Sequence, residues 1–374
     1  MSIQVTYIIS NINKALTFEW IADLINRDKI TLSFVLLNQQ ETELELFLKK
    51  KGFVVERIYY KNKYNIPLAI IKTIRFLLKQ KTTVIHTHLF DANIIGLIAA
   101  KLCSIKKRIY TRHHSSYHHQ YFPNAVKYDM LCNKLATHII AITSIVKTIL
   151  IEKEHVSENK IYLIHHGFKL KLFENILLSD IEQLKLKYNI FNNSPVIGVI
   201  SRYTEWKGIQ YIVPAFRILL IEYPQAKLVL ANAIGDYSNE IKKILSTIPK
   251  QNIIEIEFEN NIFALYKMFD VFVHTPINEH SEAFGQIYVE ALAAGIPSVF
   301  TLSGIANDFI EDKVNALVVN YKDSNSLYSA IKEILISKTL SEKIIKKGKE
   351  DVQNLFQIES MIMHLEYLYL NNEK

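Results

Sequence analysis

The chain has 374 residues, 49% of them apolar and 22% charged, which suits two domains of average size and sets disorder aside. Its two cysteines, Cys103 and Cys132, stand in apolar helical contexts with no partner spacing, so neither a disulfide framework nor a zinc site is expected and both read as core thiols. The net charge of +7 is uneven: residues 1–175 hold 25 Lys/Arg against 13 Asp/Glu, and residues 176–374 hold 19 against 24.

A basic first half points to an anionic surface or partner. Lys-, Ile- and Asn-rich usage from nucleotide bias explains it equally well. No apolar run approaches the 20 or so residues that span a bilayer, and residues 1–10 carry no basic leader, so a cytosolic protein is expected.

Residues 3–10 read as the first strand. The turn after it, residues 11–15, lacks the G-x-G-x-x-G of a nicotinamide enzyme, and no P-loop occurs anywhere in the chain. Further strands are expected at residues 31–37, 53–58, 83–87, 108–113, 138–142 and 161–164, alternating with amphipathic helical stretches. Among these stretches, residues 67–80 place Leu68, Ile71, Ile74 and Leu78 on one side and Lys72, Arg75 and Lys79 on another. Such a helix lies on an anionic membrane or, more commonly, crosses over a sheet with its charged side in water.

Ligands of open α/β sheets sit outside the carboxyl ends of the strands. Eight histidines take that position: His86, His88, His113, His114, His118, His119, and the pair His165–His166 before Gly167. One or two of them are expected to touch substrate and the rest to cap loops or bond carbonyls; their spacings match no zinc pattern.

A helical segment at 174–188 marks a boundary within residues 168–192. Strands then resume at 196–201, 227–231, 253–256, 271–274, 298–301 and 316–319. The loop after the first of these delivers Arg202 and Lys207, a pair suited to a diphosphate and, taken alone, equally an ordinary solvated loop. From about residue 326 the chain is helical, and its end is expected to pack back on the first domain. Glycine is scarce, and seven of the ten fall between Gly167 and Gly304, where backbone must turn tightly or approach a ligand.

The most informative stretch is residues 279–299, in which Glu282 and Glu290 stand around Phe284-Gly285 and a glycine opens an apolar helix. The N–H groups of such a helix start attract phosphate, and flanking carboxylates accept from sugar hydroxyls.

With these residues the sequence resembles the retaining nucleotide-sugar glycosyltransferases of the GT-B fold and family-four type, which include bacterial lipopolysaccharide, capsule and mannosyl-lipid transferases. The resemblance is strong over residues 196–320 and fainter over 80–170. It implies an α/β architecture of two Rossmann-like, doubly wound parallel-sheet domains: residues 1–170 on the acceptor side, joined by a terminal helix at about 355–374, and residues 171–354 holding the donor.

By the same resemblance Glu282 meets donor-sugar hydroxyls and Glu290 the ribose, with Phe284, Gly285, Gln286, Ser303 and Gly304 around the donor. Arg202 and Lys207 hold the diphosphate, and His113 lies near the donor sugar. Gly167 belongs to the loop leading out of the first domain. Asn11, Asn13, Lys14 and His114 fall on the acceptor side, where this chain lacks the family's Gly-rich loop, so the family's contacts there do not carry over. Ser303-Gly304 replaces a glycine pair and should keep backbone N–H groups available to the donor.

The implied reaction is sugar transfer with retention to an envelope glycan or lipid-linked saccharide, with no metal ion and no covalent intermediate, by a cytoplasmic protein peripheral to the inner leaflet. Two other readings stand beside it. One is a non-hydrolysing sugar-nucleotide epimerase of the same architecture. The other is a basic nucleic-acid module stacking on Tyr110, Tyr117, Tyr121 and Phe122, for which no binding signature is present, so no nucleic-acid partner is expected.

Overall fold

β-Branched and aromatic runs form parallel strands in the computed structural model, which describes residues 2–190 and 195–371. The first sheet contains β1 (Ile3–Ser10), β2 (Ile30–Asn38), β3 (Val54–Tyr59), β4 (Val84–His88), β5 (Lys107–Arg112), β6 (His138–Ala141) and β7 (Ile161–Leu163). Its order is β3-β2-β1-β4-β5-β6-β7, every neighbouring pair parallel. The second sheet contains β8 (Val196–Ile200), β9 (Lys227–Ala231), β10 (Ile253–Ile256), β11 (Val271–His274), β12 (Ser298–Phe300) and β13 (Leu317–Val318), in the order β10-β9-β8-β11-β12-β13. Strands covered by helices on both faces must be apolar throughout, and all five residues of β8 are buried.

Both sheets reverse direction beside their first strand. β1 lies between β2 and β4, and β8 between β9 and β11. The crevice at the carboxyl ends of such a switch is where open α/β sheets bind ligands.

The chain divides into two units, residues 1–169 with 356–374 and residues 170–355. The helix Ile358–Leu370 belongs to the first of them. Its Tyr369 hydroxyl bonds His86 Nδ1 at 2.7 Å and the Tyr7 hydroxyl at 2.5 Å, and Lys107 Nζ donates to the carbonyls of Leu368 and Tyr369 at 2.9 and 3.1 Å. Gly167 fits this arrangement: a Cβ there would lie 2.6 Å from Ile358 Cα.

Several expectations change. The helix Ile66–Lys79 buries Ala69, Thr73, Phe76 and Leu77, so Leu68, Ile71 and Leu78 are exposed beside Lys72, Arg75 and Lys79 rather than opposite them. It carries two apolar stripes, and the one with Phe76 faces the core that includes Ala92, Ile95 and Ala99. Tyr110 is not free to stack on a base, because it is buried in β5 and its hydroxyl donates to Asn133. Cys132 is buried and Cys103 half-buried, both as free thiols.

Candidate functional site

In the second unit three loops leave the carboxyl ends of β8, β11 and β12 and converge on Glu282. The loop after β8 carries Arg202, whose guanidinium is exposed and has no hydrogen-bond or ion-pair partner among the described residues. It turns at Gly208, which sits at φ +75° with the position of an added Cβ only 1.8 Å from the Thr275 carbonyl. Only glycine fits there, and the close approach brings Lys207 against the loop after β11.

Lys207 Nζ donates to Glu282 Oε1, and His274 Nε2, from the last residue of β11, donates to the same oxygen at 3.0 Å. The Glu282 backbone N–H bonds Ser303 Oγ at 2.9 Å. Burial alone would raise the Glu282 pKa, but the Lys207 ammonium and the His274 bond outweigh it and hold it at about 2. Glu282 is therefore a fixed anion. His274 is pushed below its usual value, chiefly by burial.

Gly285, at φ +81°, opens the helix Gln286–Ala294 with no side-chain cap, so first-turn N–H groups face outward from the helix start. Phe284 is buried and Gln286 exposed, so the phenyl ring is core and the loop offers backbone there. One turn further, Glu290 accepts from the Tyr266 hydroxyl at 2.8 Å, and burial raises its pKa.

Ser303 and Gly304 correct an expectation. The Gly304 N–H is taken by the Glu279 carbonyl at 3.1 Å, and the Ser303 backbone bonds Tyr288. They shape the Glu282 loop instead of offering free donors.

In the first unit the histidines form two groups. His86 and His88 lie within β4 rather than after it. His86 is structural, bridging Tyr369 and Thr111. His88 Nδ1 shares a hydrogen bond of 3.1 Å with His113 Nε2, and the His113 ring stacks on His166 at 5.6 Å. Burial pushes all three well below the ordinary imidazole value, so they are neutral near pH 7.

His114 and His118 belong to a buried ionic group, at 3.3 and 2.6 Å from Asp129. His114, His118 and Asp129 offer ligand atoms within 4.8 Å of one another. Arg112 also contacts Asp129, at 3.2 Å, and Glu154, at 2.5 Å, so a fixed guanidinium already supplies the positive charge an ion would bring.

The acceptor-side residues separate. Asn11 and Asn13 line a recess of about 330 Å³ with Asn38, Gln39, Gln40 and Thr42. Lys14 pairs with Glu43 at 3.4 Å outside that lining, and His114 is in the Asp129 group. Asn11 takes φ 55°, the left-handed conformation a glycine would otherwise supply.

His274, Tyr266 and Tyr288 were not singled out from the sequence. His274 ends a strand as His88 does, and that placement was its available signal.

The family model "Glycosyl transferases group 1" matches residues 180–351, and "Glycosyltransferase Family 4" matches residues 35–172. The chain is 27% identical over 310 residues to the capsular polysaccharide biosynthesis glycosyltransferase CapM of Staphylococcus aureus, covering 80% of each. The structure of Anabaena HepE in complex with UDP-glucose superposes with a TM-score of 0.82 at 20% identity, over 97% of this chain and 98% of that one. UDP-GlcNAc 2-epimerase from Neisseria meningitidis superposes less well, with a TM-score of 0.69 at 15% identity over 99% and 100% of the two chains.

Proposed function

The chain belongs to the GT-B glycosyltransferases of the family-four type, and from that premise we propose that it moves a hexosyl or N-acetylhexosaminyl group, with retention, from a UDP-sugar to a hydroxyl of an envelope glycan or lipid-linked saccharide. The observation that carries this reading is the buried Lys207–Glu282–His274 contact, in the loop that leads into the helix Gln286–Ala294 carrying Glu290 of the Tyr266–Glu290 pair. A fixed carboxylate beside a lysine and an uncapped helix start offers sugar hydroxyls an acceptor and a diphosphate its donors.

Charge grows on the diphosphate as the glycosidic bond breaks. Arg202, exposed and without a carboxylate partner among the described residues, and Lys207 stabilise it, and preorganised electrostatics of this kind is usually the largest catalytic term. The two cations make a metal ion unnecessary. In this reading no covalent intermediate forms: the departing phosphate oxygen takes the acceptor proton as the new bond forms on the same face.

We assign the acceptor to the first unit. For membrane contact, residues 57–90 contain seven Lys/Arg and no Asp/Glu, and the exposed side of Ile66–Lys79 mixes three of them with Leu68, Ile71 and Leu78. An anionic inner leaflet suits that face, at about 1 kcal/mol per basic residue near the surface. No described helix is long and apolar enough to cross a membrane.

The test is a thermal-shift panel of UDP, GDP, ADP and TDP with their sugars. A ligand at a hundred times its Kd raises stability by about 2.7 kcal/mol, and the UDP series is expected to do so. Incubation with the donor alone separates the epimerase reading, since only an epimerase converts it to a new sugar nucleotide.

A further inference from the structure

We infer that His274 is a positioning residue for Glu282, keeping one carboxylate oxygen fixed when the donor's diphosphate draws Lys207 away; the inference rests on the donor-site reading above. Lys207 and His274 both donate to Oε1 of Glu282, while Oε2 has no hydrogen-bond partner among the described residues. One oxygen is thereby anchored and the other is left to accept from a sugar hydroxyl.

The two donors differ in what they do once substrate arrives. Lysine is a flexible point charge, and a diphosphate competes for it strongly. If it follows the phosphate, a buried carboxylate loses its counter-charge and half of its anchoring. His274 does not move: it is 1% exposed, ends β11 in register with Phe300 of β12, and its ring meets that of Tyr288 edge-on at 5.0 Å. Tyr288 is itself fixed by its hydroxyl bond to the Thr301 carbonyl at 2.9 Å.

The protonation of His274 follows from its surroundings. An ionised carboxylate only accepts, so the proton is on Nε2. Nδ1 is buried without a partner, and a second proton there would place a charged N–H where nothing accepts it. The imidazole is thus neutral. It orients Glu282 without cancelling its charge, and the full negative charge remains for the sugar hydroxyls.

The experiment compares His274→Leu, His274→Gln and Glu282→Ala in the full chain, with UDP-glucose turnover to free UDP as the activity probe and UDP binding as the control. His274→Leu is expected to lower kcat at least tenfold, leave the UDP Kd within about twofold, and shift the acid limb of the pH profile upward. His274→Gln, whose amide N–H reaches the same oxygen, restores most of the rate. The double variant His274→Leu/Glu282→Ala is no slower than Glu282→Ala. Unchanged kcat and pH profile in His274→Leu, or a double variant slower by the product of the single effects, overturns the inference.

A substrate-free measurement keeps it falsifiable without turnover. The stability difference between wild type and His274→Leu is expected to shrink as pH falls from 4.5 towards 2 and to lose that pH dependence in a Glu282→Gln background; a pH-independent difference refutes it. Failure of every nucleoside diphosphate to stabilise the wild type removes the donor-site reading itself, whereas UDP binding with an indifferent His274→Leu removes only this inference.

Discussion

At the carboxyl edge of the first sheet His88, His113 and His166 are held neutral by burial, whereas at the same edge of the second sheet Glu282 is held ionised against burial by Lys207 and His274. The strand layout is shared, with the switch beside β1 in one unit and beside β8 in the other. At the first edge the His88–His113–His166 group is uncharged and the Arg112, Asp129 and Glu154 charges are paired with one another. At the second, Glu282 is a fixed anion and Arg202 a cation with no carboxylate partner among the described residues. A common architecture thus carries two different charge patterns, and the chemistry lies in the loops.

The sharpest way to break this comparison is to remove the fixed charges. Glu282→Ala or Lys207→Ala is expected to lower transfer about 100- to 1000-fold, read as initial rates at saturating donor. His113→Phe should cost less and show mainly in KM.

Next in size is the backbone that brings those charges together. Gly208→Ala forces a Cβ against the Thr275 carbonyl at positive φ, and is expected to cost about 3 kcal/mol and abolish stabilisation by UDP. Chemical denaturation with and without UDP checks both.

Acid separates the two edges. The three imidazoles have folded pKa values below the unfolded 6.5, so the unfolded chain binds more protons below pH 6.5. Stability from them is full above that pH and declines as pH falls, by about 1.4 kcal/mol per pH unit for each extra proton. Glu282, at about 2 against 4.5 unfolded, contributes above pH 4.5 and loses its share between there and 2. The second unit has His274 lowered in the same way against three such imidazoles in the first, so hydrogen exchange at pH 5.5 is expected to show the first unit opening ahead of the second, before Glu282 has begun to titrate.

The smallest effect concerns the basic face. Lys72→Glu with Lys79→Glu is expected to reduce sedimentation with anionic vesicles at least tenfold, while changing stability by no more than about 0.5 kcal/mol.

Strands were legible because parallel sheets demand apolar runs, and β9, β10 and β11 fall at the residues read from the sequence. The Glu282–Glu290 segment and the Arg202–Lys207 loop were legible as motifs. Contacts between distant residues were not. Nothing local couples His274 to Glu282, or directs the Gly304 N–H to Glu279 instead of a ligand. In Ile66–Lys79 both stripes are apolar, so the choice of buried side depends on the neighbouring helix Phe90–Leu102, which no periodicity within 66–79 encodes.

The return of Ile358–Leu370 to the first unit has a consequence for biosynthesis. Tyr7, His86 and Lys107 emerge early from the ribosome, yet the groups that satisfy them, the Tyr369 hydroxyl and the Leu368 carbonyl, are translated after residues 170–355. The N-terminal sheet therefore waits with the Lys107 ammonium and His86 Nδ1 left to water while the intervening unit is made, His86 Nε2 alone keeping its bond to Thr111. A nascent chain stalled before residue 358 leaves that sheet open to chaperones and proteases.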